Sequence, residues 1–70
     1  MNIIKTDNYI IAFKNDLIEY IKSEIRLSII DKNYTRVHSL IEIIAQLDLY
    51  NEDCLLEFNN DTQLRLIEEV

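Results

Sequence analysis

The chain has 70 residues, with thirteen acidic against seven basic side chains and a formal net charge of −6. That length holds one domain, and a domain so small buries only about 60% of the surface its unfolded chain exposes, so its core needs outside support. A single cysteine and a single histidine exclude an internal disulfide and a tetrahedral Cys/His zinc site, and the absence of glycine excludes a glycine-rich phosphate cradle.

With no glycine or proline, turns fall to short polar side chains that cap helices and fold back on their own backbone. Four such clusters stand out: Thr6-Asp7-Asn8, Asp31-Lys32-Asn33, Asn51-Glu52-Asp53 and Asn59-Asn60-Asp61. They divide the chain into segments of roughly 7–31, 33–50, 52–58 and 61–70.

In the first segment Ile10, Phe13, Leu17, Tyr20, Ile21, Ile25 and Ile29 share about half the circumference of a helix, with Asn15, Glu19, Lys22 and Arg26 opposite. The unbroken phase favours one long helix. Asp16 and Glu19 also have the spacing of a capping box. A helix starting there leaves NIIKTDNYIIAF, residues 2–13, as a β-hairpin turning at Thr6-Asp7-Asn8.

The second segment carries a stripe of Tyr34, Val37, Leu40, Ile41, Ile44 and Leu47, with Asn33 as N-cap. Ile43 and Tyr50 lie off that stripe, in line with Arg36. Apolar residues on a second side of a helix imply a second contact. The short Asp31-Lys32-Asn33 link then predicts an antiparallel helical hairpin that buries the two main stripes against each other.

The remaining segments predict short helices, one capped by Asn51 with acids in its first turn and one capped by Asp61. Leu56-Glu57-Phe58 and residues 62–66 also alternate, which is the pattern of a hairpin around Asn59-Asn60-Asp61. The fold expected is therefore all-α, a small helical bundle built on the hairpin, with residues 1–70 as a single helical domain. The alternative is α+β, with N- and/or C-terminal β-hairpins flanking two helices.

Chemistry is sparse. Cys54 reads as a small apolar core residue. His38 has one useful helical neighbour, Glu42, and an i,i+4 pair on a half-exposed face is ordinary structure. Ser39 adjoins His38 but points about 100° away on a helix. The basic residues Lys22, Arg26, Lys32 and Arg36 are diluted by Glu19 and Glu24, so direct nucleic-acid binding is not expected.

The Asn33-Tyr34 junction between amphipathic helices resembles a tetratricopeptide pair, but Val37 stands where that motif has a small residue and no second copy follows. Arg26 with Ala45-Gln46-Leu47-Asp48 is faintly similar to the small aspartyl-phosphate phosphatases of sporulation control. Their Ser-Gln-Glu-Leu-Asp motif is matched only at Leu47-Asp48, so the polar residues that carry the chemistry are missing and membership is not assigned. No enzyme activity, catalytic residue, metal site or cofactor is expected.

Charge is the strongest functional signal. Residues 1–38 hold six bases against five acids, whereas residues 39–70 hold Arg65 against eight acids. An acidic half repels phosphate and attracts basic surfaces. The sequence therefore predicts a non-enzymatic, acidic protein-binding module. An inhibitor of the antitoxin, nuclease-immunity or phage-inhibitor type, acting on a basic nucleic-acid-binding protein, fits this description by analogy of class. The alternative is a self-associating structural or assembly subunit. Expected acidic contacts are Glu52, Asp53, Glu57 and Asp61, and the expected apolar interface is Ile43 with Tyr50. A homo-oligomer is expected because the core is small. No export signal or apolar run of about 18 residues is seen, so the cytoplasm is the expected compartment and no membrane contact is expected.

Overall fold

The computed structural model describes residues 3–59 and 63–69. The elements are β1 (Ile4–Lys5), β2 (Tyr9–Phe13), α1 (Lys14–Ile30), α2 (Tyr34–Leu47), β3 (Cys54–Asn59) and β4 (Leu64–Glu69). The strands form one antiparallel sheet in the order β1-β2-β3-β4. The two helices, inserted between the central strands, cover one face of it. The fold is thus α+β rather than all-α, and the arrangement of two helices flanked by a hairpin at each end is the one found.

The long first helix gives way to a strand at its N-terminal end. Tyr9–Phe13 reads YIIAF, apolar at every position and β-branched in the middle. In the extended form Ile10 and Ala12 enter the core while Tyr9, Ile11 and Phe13 face the other side of the sheet, half-buried. Thr6 closes the turn before it. Its backbone N–H donates to the Tyr9 carbonyl at 2.9 Å, and its hydroxyl oxygen accepts from the N–H groups of Asn8 and Tyr9, each at 3.2 Å. A two-stranded hairpin is marginal by itself. Here β2 pairs with β3 along five residues, from Tyr9↔Asn59 to Phe13↔Leu55, which makes it an interior strand. Helix α1 starts at Lys14 with Phe13 as N-cap and no side-chain cap, so Asp16 lies in the first turn, a position the helix dipole favours.

At the C-terminal end the period of two prevails over the helical reading. Cys54, Leu56 and Phe58 are buried, and the residues between them face the opposite side. Strand β4 pairs with β3 through Leu64↔Phe58, Arg65↔Glu57 and Leu66↔Leu56. The register then shifts, so that Glu68 lies opposite Leu55 and Glu69 opposite Cys54, with Ile67 as the extra residue of a β-bulge. Residues 60–62, including Asp61 and the turn expected around it, lie outside the described residues.

The helical hairpin closes where the sequence predicts. The Asn33 N–H donates to the Ser28 carbonyl at 2.8 Å and the Lys32 N–H to the Ile29 carbonyl at 3.0 Å, the paired bonds of a Schellman stop. Lys32 occupies its left-handed position, with φ of 58°. Asn33 is the N-cap of α2, its Oδ1 accepting from the Arg36 N–H at 3.3 Å. A left-handed conformation costs an L-residue about 1–2 kcal/mol, and glycine avoids that while losing some unfolded-state freedom. Lys32→Gly is therefore expected to stabilise the chain by about 0.5–1 kcal/mol in a thermal or urea melt.

The buried face of α2 differs from the expected stripe. Leu40, Ile43 and Leu47 are in the core, Ile44 packs against it, Val37 is half-buried, and Tyr34 and Ile41 are exposed. The helix is turned by somewhat less than one residue's 100° because it packs beside α1 and over the sheet at once. The core joins Ile10, Ala12, Leu17, Ile21, Leu40, Ile43, Leu47, Cys54, Leu56 and Phe58, drawn from both layers. Among the described residues, no helix is long and apolar enough to cross a membrane.

Candidate functional site

The sheet face away from the helices carries an apolar surface that the register defines. Residues directly opposite in an antiparallel ladder share a face. One row across the sheet therefore reads Ile4, Ile11, Glu57, Arg65, and another reads Phe13, Leu55, Glu68. With Tyr9, these rows make a face that is apolar over β1, β2 and the start of β3 and charged toward β4. Ile4 is 59% exposed, and Tyr9, Ile11, Phe13 and Leu55 are half-buried by their neighbours alone.

Carboxylates lie around the Cys54 end of the sheet, with Glu68 on the open face and Glu69 on the helix side. Asp48 is the C-cap of α2, Glu52 and Asp53 lie in the turn leading into β3, and the pairing of β4 brings Glu68 and Glu69 beside Leu55 and Cys54. These five come from three separate stretches of chain. All are exposed, and among the described residues none is in an ion pair. Lys14, the nearest base in the pairing scheme, donates through Nζ to the Tyr50 carbonyl at 2.8 Å.

The residues expected to make the contacts are distributed differently. Glu52 and Asp53 are exposed as expected. Glu57 is on the open sheet face, its side chain 16% exposed and paired with Arg65 at 3.2 Å, so its charge is answered within the chain. Asp61 lies outside the described residues. Ile43 belongs to the core at 3% exposure, and Tyr50, just past the end of α2, is half-buried against that core, so the second apolar side of α2 packs within this chain. The reason is geometric: a helix lying between another helix and a sheet needs a second apolar side for intramolecular packing.

Sequence reasoning missed the open sheet face, and its signal is visible in YIIAF. Five consecutive apolar residues in a strand put apolar side chains on both faces. It also missed a polar cleft of about 250 Å³ where the β1–β2 turn meets the helices, lined by residues including Lys5, Tyr20, Glu24 and Arg36. Tyr20 Oη donates to Glu24 Oε1 at 3.2 Å, Arg36 Nη2 lies 3.7 Å from the same oxygen, and Lys5 Nζ sits 5.3 Å from the centre of the Tyr20 ring. Burial pushes the Tyr20 hydroxyl's pKa above its ordinary value, and the Glu24 charge and hydrogen bond push it the same way, against the opposing pull of Arg36. These groups satisfy one another and tie α1 to α2.

His38 pairs with Glu42 at 3.2 Å on an open helix surface, and Cys54 is a buried free thiol in the core, both as read from the sequence. Among the described residues, no group of three His, Cys, Asp or Glu side chains is placed to hold a metal ion.

No family model, curated protein or solved structure matches this chain.

Proposed function

We propose that this chain is a non-enzymatic binding module that docks a basic protein surface, acting in the cytoplasm. The reading rests chiefly on one observation: the open apolar sheet face of Ile4, Ile11, Phe13 and Leu55 has exposed carboxylates at its Leu55 end, with Glu68 opposite Leu55 and Glu52 and Asp53 in the turn before β3, none of them in an ion pair among the described residues. Protein interfaces commonly have an apolar centre and a polar rim. In this geometry the apolar rows supply affinity, while Asp48, Glu52 and Asp53 attract a cationic partner and orient it. An inhibitor of a nucleic-acid-binding protein is one partner relationship that suits this surface, since such proteins present the basic groove it would cover.

The test is recovery of proteins from native-host extract on wild-type and variant baits, followed by binding kinetics with the retained protein. The double charge reversal Glu52→Lys with Asp53→Lys is expected to slow association at least about tenfold at low salt and to flatten the salt dependence. Phe13→Ser is expected to act mainly on dissociation. Each variant's circular dichroism and melting serve as controls for folding. Binding that is unchanged by both changes would remove this surface from the reading.

A further inference from the structure

We propose that two copies of this chain join through their β4 strands, edge to edge and antiparallel, in a two-fold dimer with one continuous eight-stranded sheet. This goes beyond the acidic docking face and uses a different part of the molecule.

Strand β4 is the last in the sheet, and its far side carries no strand among the described residues. The other edge, β1, is only two residues long, whereas β4 has six. A long free edge offers unpaired N–H and C=O groups to any strand that can match it. Leu66 and Ile67 are exposed on it, and helix α1 packs against β2 and β3.

The sequence of β4 matches itself in one register. A two-fold antiparallel pair places residue i opposite residue j of the other copy, and opposite residues must share a face. Pairing Arg65 with Glu68 of the second copy sets Leu66 against Ile67 and Leu64 against Glu69. In a regular strand Arg65 and Glu68 point to opposite faces, because the side-chain period is two. Here the bulge at Ile67 resets the phase. Arg65 lies opposite Glu57 and Glu68 opposite Leu55, and both are on the open face. Leu64 and Glu69 share the other face, opposite Phe58 and Cys54. Moving the register by one residue sets open-face residues against helix-side residues. Placing Arg65 against its own copy instead opposes two like charges.

Charge favours the same register. The Arg65 side chain is 68% exposed although it already touches Glu57, and a guanidinium has donors left for a second carboxylate. Glu68 has no ion-pair partner among the described residues. By symmetry the dimer forms this cross-strand pair twice. The opposing reading, that the bulge and charges only guard the edge against pairing, is one outcome of the test.

The experiment is sedimentation equilibrium over a concentration series up to about 1 mM, on wild type, Arg65→Glu, Glu68→Arg and an equimolar mixture of the two variants. Each single variant opposes like charges at both rows of its own dimer, whereas the mixed pair has opposite charges at both. The wild type is expected to dimerise, each variant alone to dimerise at least about tenfold more weakly, and the mixture to regain the loss. Arg65→Glu also removes the pair with Glu57, so melting curves accompany it, and Glu68→Arg carries the test independently. Amide exchange in residues 64–69 is expected to slow as wild-type concentration rises. A wild type that stays monomeric throughout overturns the proposal. So does a dimer equally strong in Glu68→Arg, which would move the contact to the open sheet face.

Discussion

Leu56→Ala is expected to destabilise the chain by about 3–5 kcal/mol, as measured by urea unfolding followed by circular dichroism. Leu56 is fully buried on β3, between Ala12 on β2 and Leu66 on β4, and under the helical layer. Its neighbour across the sheet is already an alanine, so little side-chain volume is available to fill the hole. A chain of this length has a total stability of about 4–10 kcal/mol. One such cavity therefore removes much of it, and at the low end leaves the variant mostly unfolded. Two controls locate the effect. Leu55→Ala, on the open face beside it, is expected to cost clearly less, because Leu55 is only half-buried. Leu49→Ala is expected to change stability by no more than about 0.5 kcal/mol, since Leu49 is 85% exposed. The ordering of Leu56 and Leu55 also tests the sheet itself. On the short helix expected over 52–58, Leu55 and Phe58 would share a face and Leu56 would stand apart. A larger loss at Leu55 than at Leu56 would favour that helix over β3.

The parts of the fold that were legible in the sequence are those fixed by local chemistry. The turn at Asp31-Lys32-Asn33 and the Asn33 cap were readable because a cap needs one side-chain oxygen at one position. Cys54 and the His38–Glu42 pair were readable for similar reasons, one from burial preference and the other from helical spacing. The strands were visible only as alternatives, because their stability is not local. YIIAF continues the phase of α1 well enough to be drawn as helix, and it becomes a strand because β3 lies beside it, more than forty residues later in the chain. Tertiary pairing outweighs intrinsic preference in such segments. The candidate site was legible in charge but not in place. Net acidity was plain from composition, yet only the pairing of β4 with β3 brings Glu68 and Glu69 to the side of Glu52 and Asp53. That same pairing takes Glu57 out of the set by giving it Arg65.

Ile43→Asp is expected to abolish cooperative folding near neutral pH, while Ile41→Asp leaves the fold intact. The two residues are neighbours in α2 with the same side chain, so helix propensity contributes equally to both changes. Their surroundings differ: Ile43 is 3% exposed and Ile41 is 53% exposed. A carboxylate at the first position has no cation beside it in the apolar cluster of Leu40, Leu47, Leu56 and the other core residues. Leaving it charged there costs several kcal/mol, comparable to the whole stability of the chain. At the second position it stays in water and costs about 0.5–1 kcal/mol, mainly through lost apolar contact and lower helix propensity. The pH dependence separates a buried charge from general damage. Burial raises the folded-state pKa of the new carboxyl above its unfolded value of about 4. The penalty is therefore full at neutral pH and falls as pH drops through the folded pKa, where the group becomes neutral. Partial recovery of the helical circular-dichroism signal toward pH of about 4 is expected for Ile43→Asp only. The opposite ranking, with Ile41 the intolerant position, would turn α2 back to the stripe of Tyr34, Ile41 and Ile44 and leave Ile43 free to meet a partner.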